Sequence, residues 1–389
     1  MPLFSIITAV YNNKKYIHSC AKSVLSQSFR DIEYIIVDDG STDGTSEIVD
    51  MIMQTDTRVK VIHQNNQWIY ASFNNGIRIA SGEYIYIVNS DDRLRDGILQ
   101  VMADKIQRYH RPDIIWTKVL VHRCDDRQKI LKYDIGNADG KINKDHFFAD
   151  QESVRKNWLY FCHSDLAQNQ ANLYKRELML KSSFRNDIYG ADTLFNISIA
   201  SYVNSAVILE EAAYDFFQYD NADMNTSIGK YYDYEHQMFN EIYMEYKQLF
   251  QNWRIYNNRV RTYLCKRRLK NLTGQIRRLQ CKNCILTIDR KLHIVFNEYM
   301  DNIIFECAIT IDAMEELESR VLSGVKELLL IKELSEDSEM HFVYELLDAL
   351  LVYEKDVEDY RKLEHAINHS LNPMHIGKVF YKKLKQSRK

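Results

Sequence analysis

Residues 32–45 read IEYIIVDDGSTDGT, and this stretch decides the fold. Ile32 to Val37 is a short apolar run, suited to a strand buried on both faces. It stops at Asp38-Asp39-Gly40-Ser41, residue types that favour turns. Thr42-Asp43-Gly44-Thr45 then opens a helical pattern carrying Ile48, Ile52 and Met53. Toward the N-terminus, Leu3 to Val10 is a second apolar run. Tyr11-Asn12-Asn13 breaks it, and Ile17, Cys20, Ala21, Val24 and Leu25 follow at helical spacing. Toward the C-terminus, Val59 to Ile62 reads as a strand and Tyr70 to Ala80 as a helix ended by Ser81-Gly82. Tyr84 to Val88 is a fourth strand, running straight into Asn89-Ser90-Asp91-Asp92.

Strand, helix, strand, helix at this spacing predicts βαβ units, hence an α/β fold with a mostly parallel sheet and helices on both faces. Ligands of such sheets sit at the carboxyl ends of the strands. Those ends carry Tyr11, Asp38-Asp39 and Asp91-Asp92. Each alone reads equally well as a turn signal; their convergence on one sheet edge is the functional signal.

After Asp92 a helix is expected to about Tyr109, then strands at Ile114 to Val121 and Ile130 to Tyr133, read as antiparallel. Tyr214 to Tyr219 reads as a final strand, followed by the polar loop Asp220 to Ser227. Beyond Gly229, Gly and Pro nearly vanish and helical periodicity takes over. The predicted organisation is therefore an α/β domain over 1–229 and an all-α domain over 230–389. A chain of 389 residues is long enough for two cores.

Composition narrows the class. Hydrophobic residues are 46% and charged residues 27%, ordinary for a soluble globular protein, and a net charge of −3 argues against nucleic acid as a partner. MPLFSIITAVYN reads as a strand rather than a signal peptide, and no run reaches the roughly 18 apolar residues that span a bilayer. Seven scattered Cys fit free thiols in a reducing compartment. The expectation is a cytoplasmic protein. The pair Cys281 and Cys284 lacks a second CxxC or a His pair, so two thiols one helical turn apart is the plain reading.

The helical half is charge-segregated. Residues 254–291 carry twelve Lys or Arg and one acid, Asp289; residues 298–365 are acidic; Lys378 to Lys389 is basic. Solvated helix faces explain much of this. The blocks also suit pairing within the domain or across a homodimer. A third use is peripheral contact of the basic helices with anionic headgroups on the inner face of the membrane, or with a lipid-phosphate acceptor.

The ordered set SIITAVYN (5–12), SVLSQSF (23–29), IEYIIVDDGSTDGT (32–45), NNGIRIASGEYIYIVNSDD (74–92) and YGADTLF (189–195) resembles the inverting glycosyltransferases of family 2, which have the GT-A fold. The resemblance covers residues 3 to about 227 and leaves out the helical half. It implies transfer of a hexose or N-acetylhexosamine from a UDP-sugar to a glycan, lipid-linked or protein-linked acceptor. Such transfer belongs to surface polysaccharide or glycoconjugate biosynthesis. It implies that Thr8, Ala9 and Tyr11 lie beside the uracil and that Asp39 accepts from base or ribose. Asn74, Ser90 and Asp91 join the nucleotide-binding set. Asp91 and Asp92 would hold Mn²⁺ or Mg²⁺, since hard divalent cations suit carboxylates and phosphate oxygens and offset charge on a leaving diphosphate. Asp192 would take the acceptor's proton; one base with in-line attack inverts the sugar carbon. Asp also suits a helix start. In relatives the loop matching Asp220 to Ser227 closes over the nucleotide.

The chain departs from the family pattern at four places. Asn89 stands where many relatives have the first Asp of the metal motif, Ala191 where an acid often precedes the base, Phe73 where Arg is frequent, and Trp68 where a small Gly is usual. These departures motivate a second reading, a catalytically weakened scaffold of the same fold that binds nucleotide-sugar or partner proteins. Among the twelve His no HExxH occurs; His163 is a candidate for lining an acceptor cleft, a core-edge position being the alternative. A P-loop and a GxGxxG are absent, which removes kinase and dinucleotide readings.

Overall fold

The computed structural model describes residues 1–125, 130–136, 144–163, 169–219 and 229–329. The loop Asp220 to Ser227, the side chain of His163 and the charge blocks beyond 329 lie outside them. The chain divides into two compact units, Met1–Asn225 and Thr226–Lys389.

In the first unit the chain runs β1 Phe4–Val10, α1 Ile17–Leu25, β2 Ile32–Asp38, α2 Thr45–Thr55, β3 Val59–His63, α3 Ile69–Ile79 and β4 Tyr84–Ile87. It continues β5 Arg93–Leu94, α4 Ile98–Arg108, β6 Ile114–Cys124, β7 Ile130–Gly136, β8 His146–Phe148 and α5 Gln151–His163. The last elements are β9 Leu173–Lys175, α6 Arg176–Met179, α7 Ala191–Ala200 and β10 Ala206–Tyr219. Ten strands form one mixed sheet in the order β3-β2-β1-β4-β9-β6-β10-β5, with β7 on β6 and β8 on β10.

β1, β2, β3 and β4 are parallel, as the alternating pattern requires. Every residue of β1 and β2 is buried, which is why both read as unbroken apolar runs. One face is covered by α1, α2 and α4 through Ile17, Val24, Val49, Leu99 and Met102, packed on Phe4, Ile6, Tyr34 and Tyr86. On the other face α3 approaches so closely that a Cβ on Gly76 would stand 2.6 Å from Ile7 Cγ2. Full burial of each large aliphatic side chain in these layers contributes about 1.5–3 kcal/mol.

Two features depart from the sequence expectation. β9 inserts antiparallel between β4 and β6, a three-residue strand too short to give a periodic signal. β10 starts at Ala206 rather than Tyr214 and pairs in parallel with β6 from Ala206↔Ile114 onward. Its middle, Leu209-Glu210-Glu211-Ala212-Ala213, is helix-forming by local preference, and pairing with the buried β6 overrides that preference. The register shifts there, between Ile208 and Tyr214, mark the compromise.

The second unit is helical among its described residues. It contains α8 Glu235–Asn252, α9 Asn258–Arg278, α10 Ile288–His293, a π-helical turn over Ile294–Tyr299, α11 Asn302–Thr310 and α12 Met314–Leu329. Three helix starts are capped by side chains: Asn257 accepts from Val260 N, Thr287 from Arg290 N and Asp301 from Ile304 N. Not every base of the cationic run is on the surface. Arg268 is fully buried, donating to Asn240 Oδ1 at 2.8 Å, Gln275 Oε1 at 3.1 Å and His236 Nδ1 at 3.0 Å. All seven Cys are free thiols; Cys281 and Cys284 sit in a turn, with Cys284 N donating to Cys281 O. Among the described residues no helix is long and apolar enough to cross a membrane.

Candidate active site

The strand register brings three turns to one edge. β1 and β2 pair through Val10↔Asp38, and β1 and β4 through Ile7↔Ile87. The backbone then continues the contact, with Asp39 N donating to Val10 O and Val88 N to Ile7 O. The turns after β1, β2 and β4 are therefore neighbours because the strands that deliver them are.

Side chains fasten these turns together. Asn12, held at φ +47°, accepts from Thr42 N at 2.7 Å, and its own N–H donates to Ser41 Oγ. Asn13 N donates to Thr45 Oγ1 at 2.9 Å, and Asn13 Nδ2 reaches across to Ser90 Oγ at 2.7 Å. Tyr11 projects from this fastened edge and is 42% exposed, a large aromatic surface left for a ligand.

The two aspartates after β2 divide their work. Asp38 accepts from Ser41 N, Ser46 Oγ and His63 Nδ1. Burial pushes its carboxyl up, and the hydrogen bonds from Ser41, Ser46 and His63 outweigh that, leaving it below the ordinary range. It is a structural knot. Asp39 uses Oδ1 to accept from Gln64 Nε2 at 2.7 Å and Gln67 N at 2.8 Å. Asp39 is itself buried, and its Oδ2 has no such partner among the described residues.

The pair after β4 divides in the same way. Asp92 is fully buried. Its Oδ2 accepts from Tyr214 Oη at 2.8 Å and Asn89 Nδ2 at 3.1 Å, and its Oδ1 from Phe217 N at 2.9 Å. Tyr214 Oη also accepts from Asn89 N at 2.9 Å. Burial and the adjacent Asp91 charge push Asp92 well above the carboxylate range. Asp91 is half-buried, and burial raises its pKa too. Two acids so placed repel each other, and a hard cation with oxygen ligands relieves that. A buried amide oxygen without a partner, Asn89 Oδ1, lies in the same turn. The donor set fits a Mg²⁺- or Mn²⁺-type ion with Asp91 as its carboxylate, while Asp92 secures the turn to β10.

Asp192 stands second in α7, where it accepts from Thr193 N at 2.7 Å. The residue that caps the helix is Gly190, so Asp192 is not spent as the cap. A bonded path joins it to the strand edge: Tyr70, at the start of α3, donates its hydroxyl to Tyr189 O at 2.6 Å.

Four of the expected ligand residues have side chains that are buried or engaged by protein. The Thr8 hydroxyl is fully buried under the edge, where it accepts from Tyr34 Oη at 3.1 Å. Ala9 is likewise buried. Asn74 directs both ends of its amide at the backbone of Phe184, donating to O at 2.7 Å and accepting from N at 2.9 Å. Asp92 accepts from protein donors on both oxygens and is fully buried.

Phe73 also has an account. It is buried against Tyr70 and Phe184 at ring distances of 6.3 and 6.2 Å, filling a core position rather than leaving a cation's site vacant. Sequence reasoning missed Gln64, Tyr70 and Tyr214, which hold the acidic turns from distant elements. It also missed His122, which pairs with Asp215 at 2.8 Å and stacks on Phe217. A second acidic cluster, Asp145 with Glu210 and Glu211, is bridged by Lys105 at 2.6 and 3.1 Å and reads as an ion-pair network. Cys20, beneath the edge, is pushed up to about 12 by burial and is no nucleophile.

With this geometry established, comparison with known proteins is informative. Residues 5–176 match the family described as Glycosyl transferase family 2. Glycosyltransferase GlyG of Streptococcus pneumoniae is 42% identical over 106 residues, 27% of this chain and 35% of GlyG. The uncharacterized glycosyltransferase EpsJ of Bacillus subtilis is 28% identical over 226 residues, 57% of this chain and 63% of EpsJ. A Campylobacter jejuni GalNAc(5)-diNAcBac-PP-undecaprenol beta-1,3-glucosyltransferase is 24% identical over 235 residues, 59% of this chain and 70% of that enzyme. The match thus spans less than two thirds of GlyG and of EpsJ. Among solved structures, Staphylococcus aureus TarS 1-349 in complex with UDP superposes with a TM-score of 0.52 at 17% identity, covering 95% of this chain and 92% of TarS 1-349. That likeness is one of fold, and the fold is GT-A.

Proposed function

We propose, for a chain whose residues 5–176 form a family 2 glycosyltransferase domain, that it transfers a hexose or N-acetylhexosamine from a UDP-sugar to an acceptor hydroxyl with inversion. The observation that carries this reading is the division of labour at the strand edge. In each acidic pair one carboxylate is consumed by protein donors, and the other, Asp39 or Asp91, is left with ligand-binding capacity. Asp39 Oδ2 takes a donor hydrogen of the uracil or ribose, and Tyr11 supplies an aromatic face for the base. A divalent cation, when bound at Asp91, neutralises charge on the departing diphosphate. Ser90 is the hydroxyl of that turn, oriented by Asn13, and suits a hydrogen bond to the ribose or diphosphate. Asp192 accepts the proton of the attacking hydroxyl. UDP in the TarS 1-349 structure and the glucosyltransferase name of the Campylobacter relative support a nucleotide-sugar donor. The acceptor class we propose is a glycan, free or lipid-linked, within polysaccharide or glycoconjugate synthesis.

The test is UDP release from a panel of UDP-sugars with Mn²⁺. Asp192→Asn is expected to lower turnover by at least about a hundredfold while UDP affinity stays near wild type. Unchanged turnover in that variant removes the base assignment. The rival reading, a binding scaffold, is favoured by Asn89 and Ala191 at motif positions. It predicts calorimetric UDP binding that is indifferent to Mn²⁺ and no release from any donor.

A further inference from the structure

We infer that Tyr70 is a positioning residue for Asp192, fixing the turn from which α7 starts and tying that turn to the loop that holds Asp39. The inference rests on the reading of Asp192 as the base. Its observations are local and independent of that reading. Tyr70 Oη donates to Tyr189 O at 2.6 Å. Tyr189 is three residues before Asp192, and the helix begins at Ala191. Tyr70 is buried, its ring stacks on Phe184 at 5.7 Å, and Phe184 stacks on Phe195 of α7 at 4.1 Å. Asn74, one turn along α3, holds the Phe184 backbone at two points. The segment 184–195 is thus fastened to α3 at its start by an amide and the Tyr70–Phe184 stack and in its middle by a hydroxyl, while Phe195 at its end stacks back on Phe184.

The same segment of chain reaches back to the donor side. Gln64 and Gln67 N hold Asp39 Oδ1, and Tyr70 follows three residues after Gln67. Between the two ties lies Trp68 at φ 77° and ψ 159°, a conformation that is essentially restricted to glycine. A side chain persists there only when its surroundings over-determine the backbone. The ties on either side do so: Asp39 fixes Gln67, and Ser72 N and Oγ both donate to Trp68 O. Trp68 packs edge-on against Tyr70 at 5.9 Å, so the strained residue and the positioning residue are in direct contact. Placement of the base is therefore coupled to the loop that holds Asp39, with the Tyr70 hydroxyl as one of the ties.

The test is Tyr70→Phe in the full chain, which keeps the stacked ring and removes the hydroxyl. Amide hydrogen exchange, UDP affinity with Mn²⁺, and Mn²⁺-dependent UDP release from UDP-glucose, UDP-galactose and UDP-N-acetylglucosamine with water as acceptor are compared with wild type. Exchange over residues 186–193 is expected to rise at least about fivefold while residues 5–12 and 32–45 are unchanged. The UDP Kd is expected to stay within about twofold and release to fall about tenfold. Unchanged exchange over 186–193 overturns the proposal. So does a rise throughout the unit or loss of the fold, which would make Tyr70 a core residue only, and so does a parallel loss of UDP affinity. Asp192→Asn, run beside it, separates the two claims. Wild-type release from that variant removes the base, whereas the exchange arm still decides whether Tyr70 holds the turn.

Discussion

Tyr214→Phe is the most informative single perturbation of the acidic turn. The Tyr214 hydroxyl donates to Asp92 Oδ2 at 2.8 Å and accepts from Asn89 N at 2.9 Å, and the residue is fully buried. The change therefore removes two hydrogen bonds and almost no volume. A typical hydrogen bond contributes about 0.5–1.5 kcal/mol, and a buried N–H left without its acceptor costs about 1–3 kcal/mol. Partial relaxation brings the expected loss of stability to about 2–4 kcal/mol, a fall of several degrees in the melting temperature of the first unit. The second consequence is specific. Asn89 and Asp92 flank Asp91, so loosening them weakens the cation's carboxylate, and UDP affinity in Mn²⁺ is expected to drop about tenfold, worth about 1.4 kcal/mol. Thermal unfolding and calorimetric titration of UDP with and without Mn²⁺ report the two effects separately. Stability within about 0.5 kcal/mol of wild type, or an unaltered metal dependence, would refute the assignment of Tyr214 and Asp92 as the anchor of the metal-binding turn.

Glu33 supplies a pH prediction. Burial pushes its carboxyl up, but hydrogen bonds from Lys60, Ser5 and Ser81 outweigh this and bring it from 4.5 to about 2. A folded pKa below the unfolded value means the unfolded chain binds more protons between those two values, so stability falls as pH falls through that window. The contribution, roughly 3 kcal/mol, is fully present above pH 4.5, and Glu33→Gln should flatten the acid limb of the stability curve measured by urea unfolding. In the helical unit, Arg268→Ala leaves His236, Asn240, Gln275 and Asp301 without their buried cation and should cost about 3–5 kcal/mol, whereas Arg268→Met restores volume and should cost less. Equal losses for the two variants would show that volume contributes nothing and assign the whole effect to the lost hydrogen bonds and charge.

Much of the first unit was legible because parallel strands buried on both faces announce themselves as apolar runs, and the turns between them carry their own chemistry. β1 to β4 and α1 to α4 follow from such patterns. β9 was not legible: three residues carry no period, and its place between β4 and β6 is a property of pairing. β10 was half legible. Tyr214 to Tyr219 alternates with β-forming side chains, but Leu209 to Ala213 prefers a helix in isolation, and only β6 alongside makes it a strand. Local preference loses to a buried partner wherever the partner offers a full ladder.

The site shows the same limit in sharper form. Two Asp-Asp pairs at two strand ends mark an acidic, ligand-facing edge in the sequence alone. Which member of each pair faces the ligand cannot be read there, because adjacent residues differ only in what reaches them from elsewhere. Asp38 is claimed by His63 and Ser46, and Asp92 by Tyr214 and the Phe217 backbone, from a strand more than a hundred residues on. The consumed carboxylates set the geometry of the free ones. On the proposed reading, Asp91 serves a cation from a turn that Asp92 ties to β10. A single acid at either strand end would have to choose between anchoring the loop and binding the ligand. The doubled acid removes that choice, and it explains why substitution of Asp92 should damage ligand binding even though its carboxylate is turned into the protein.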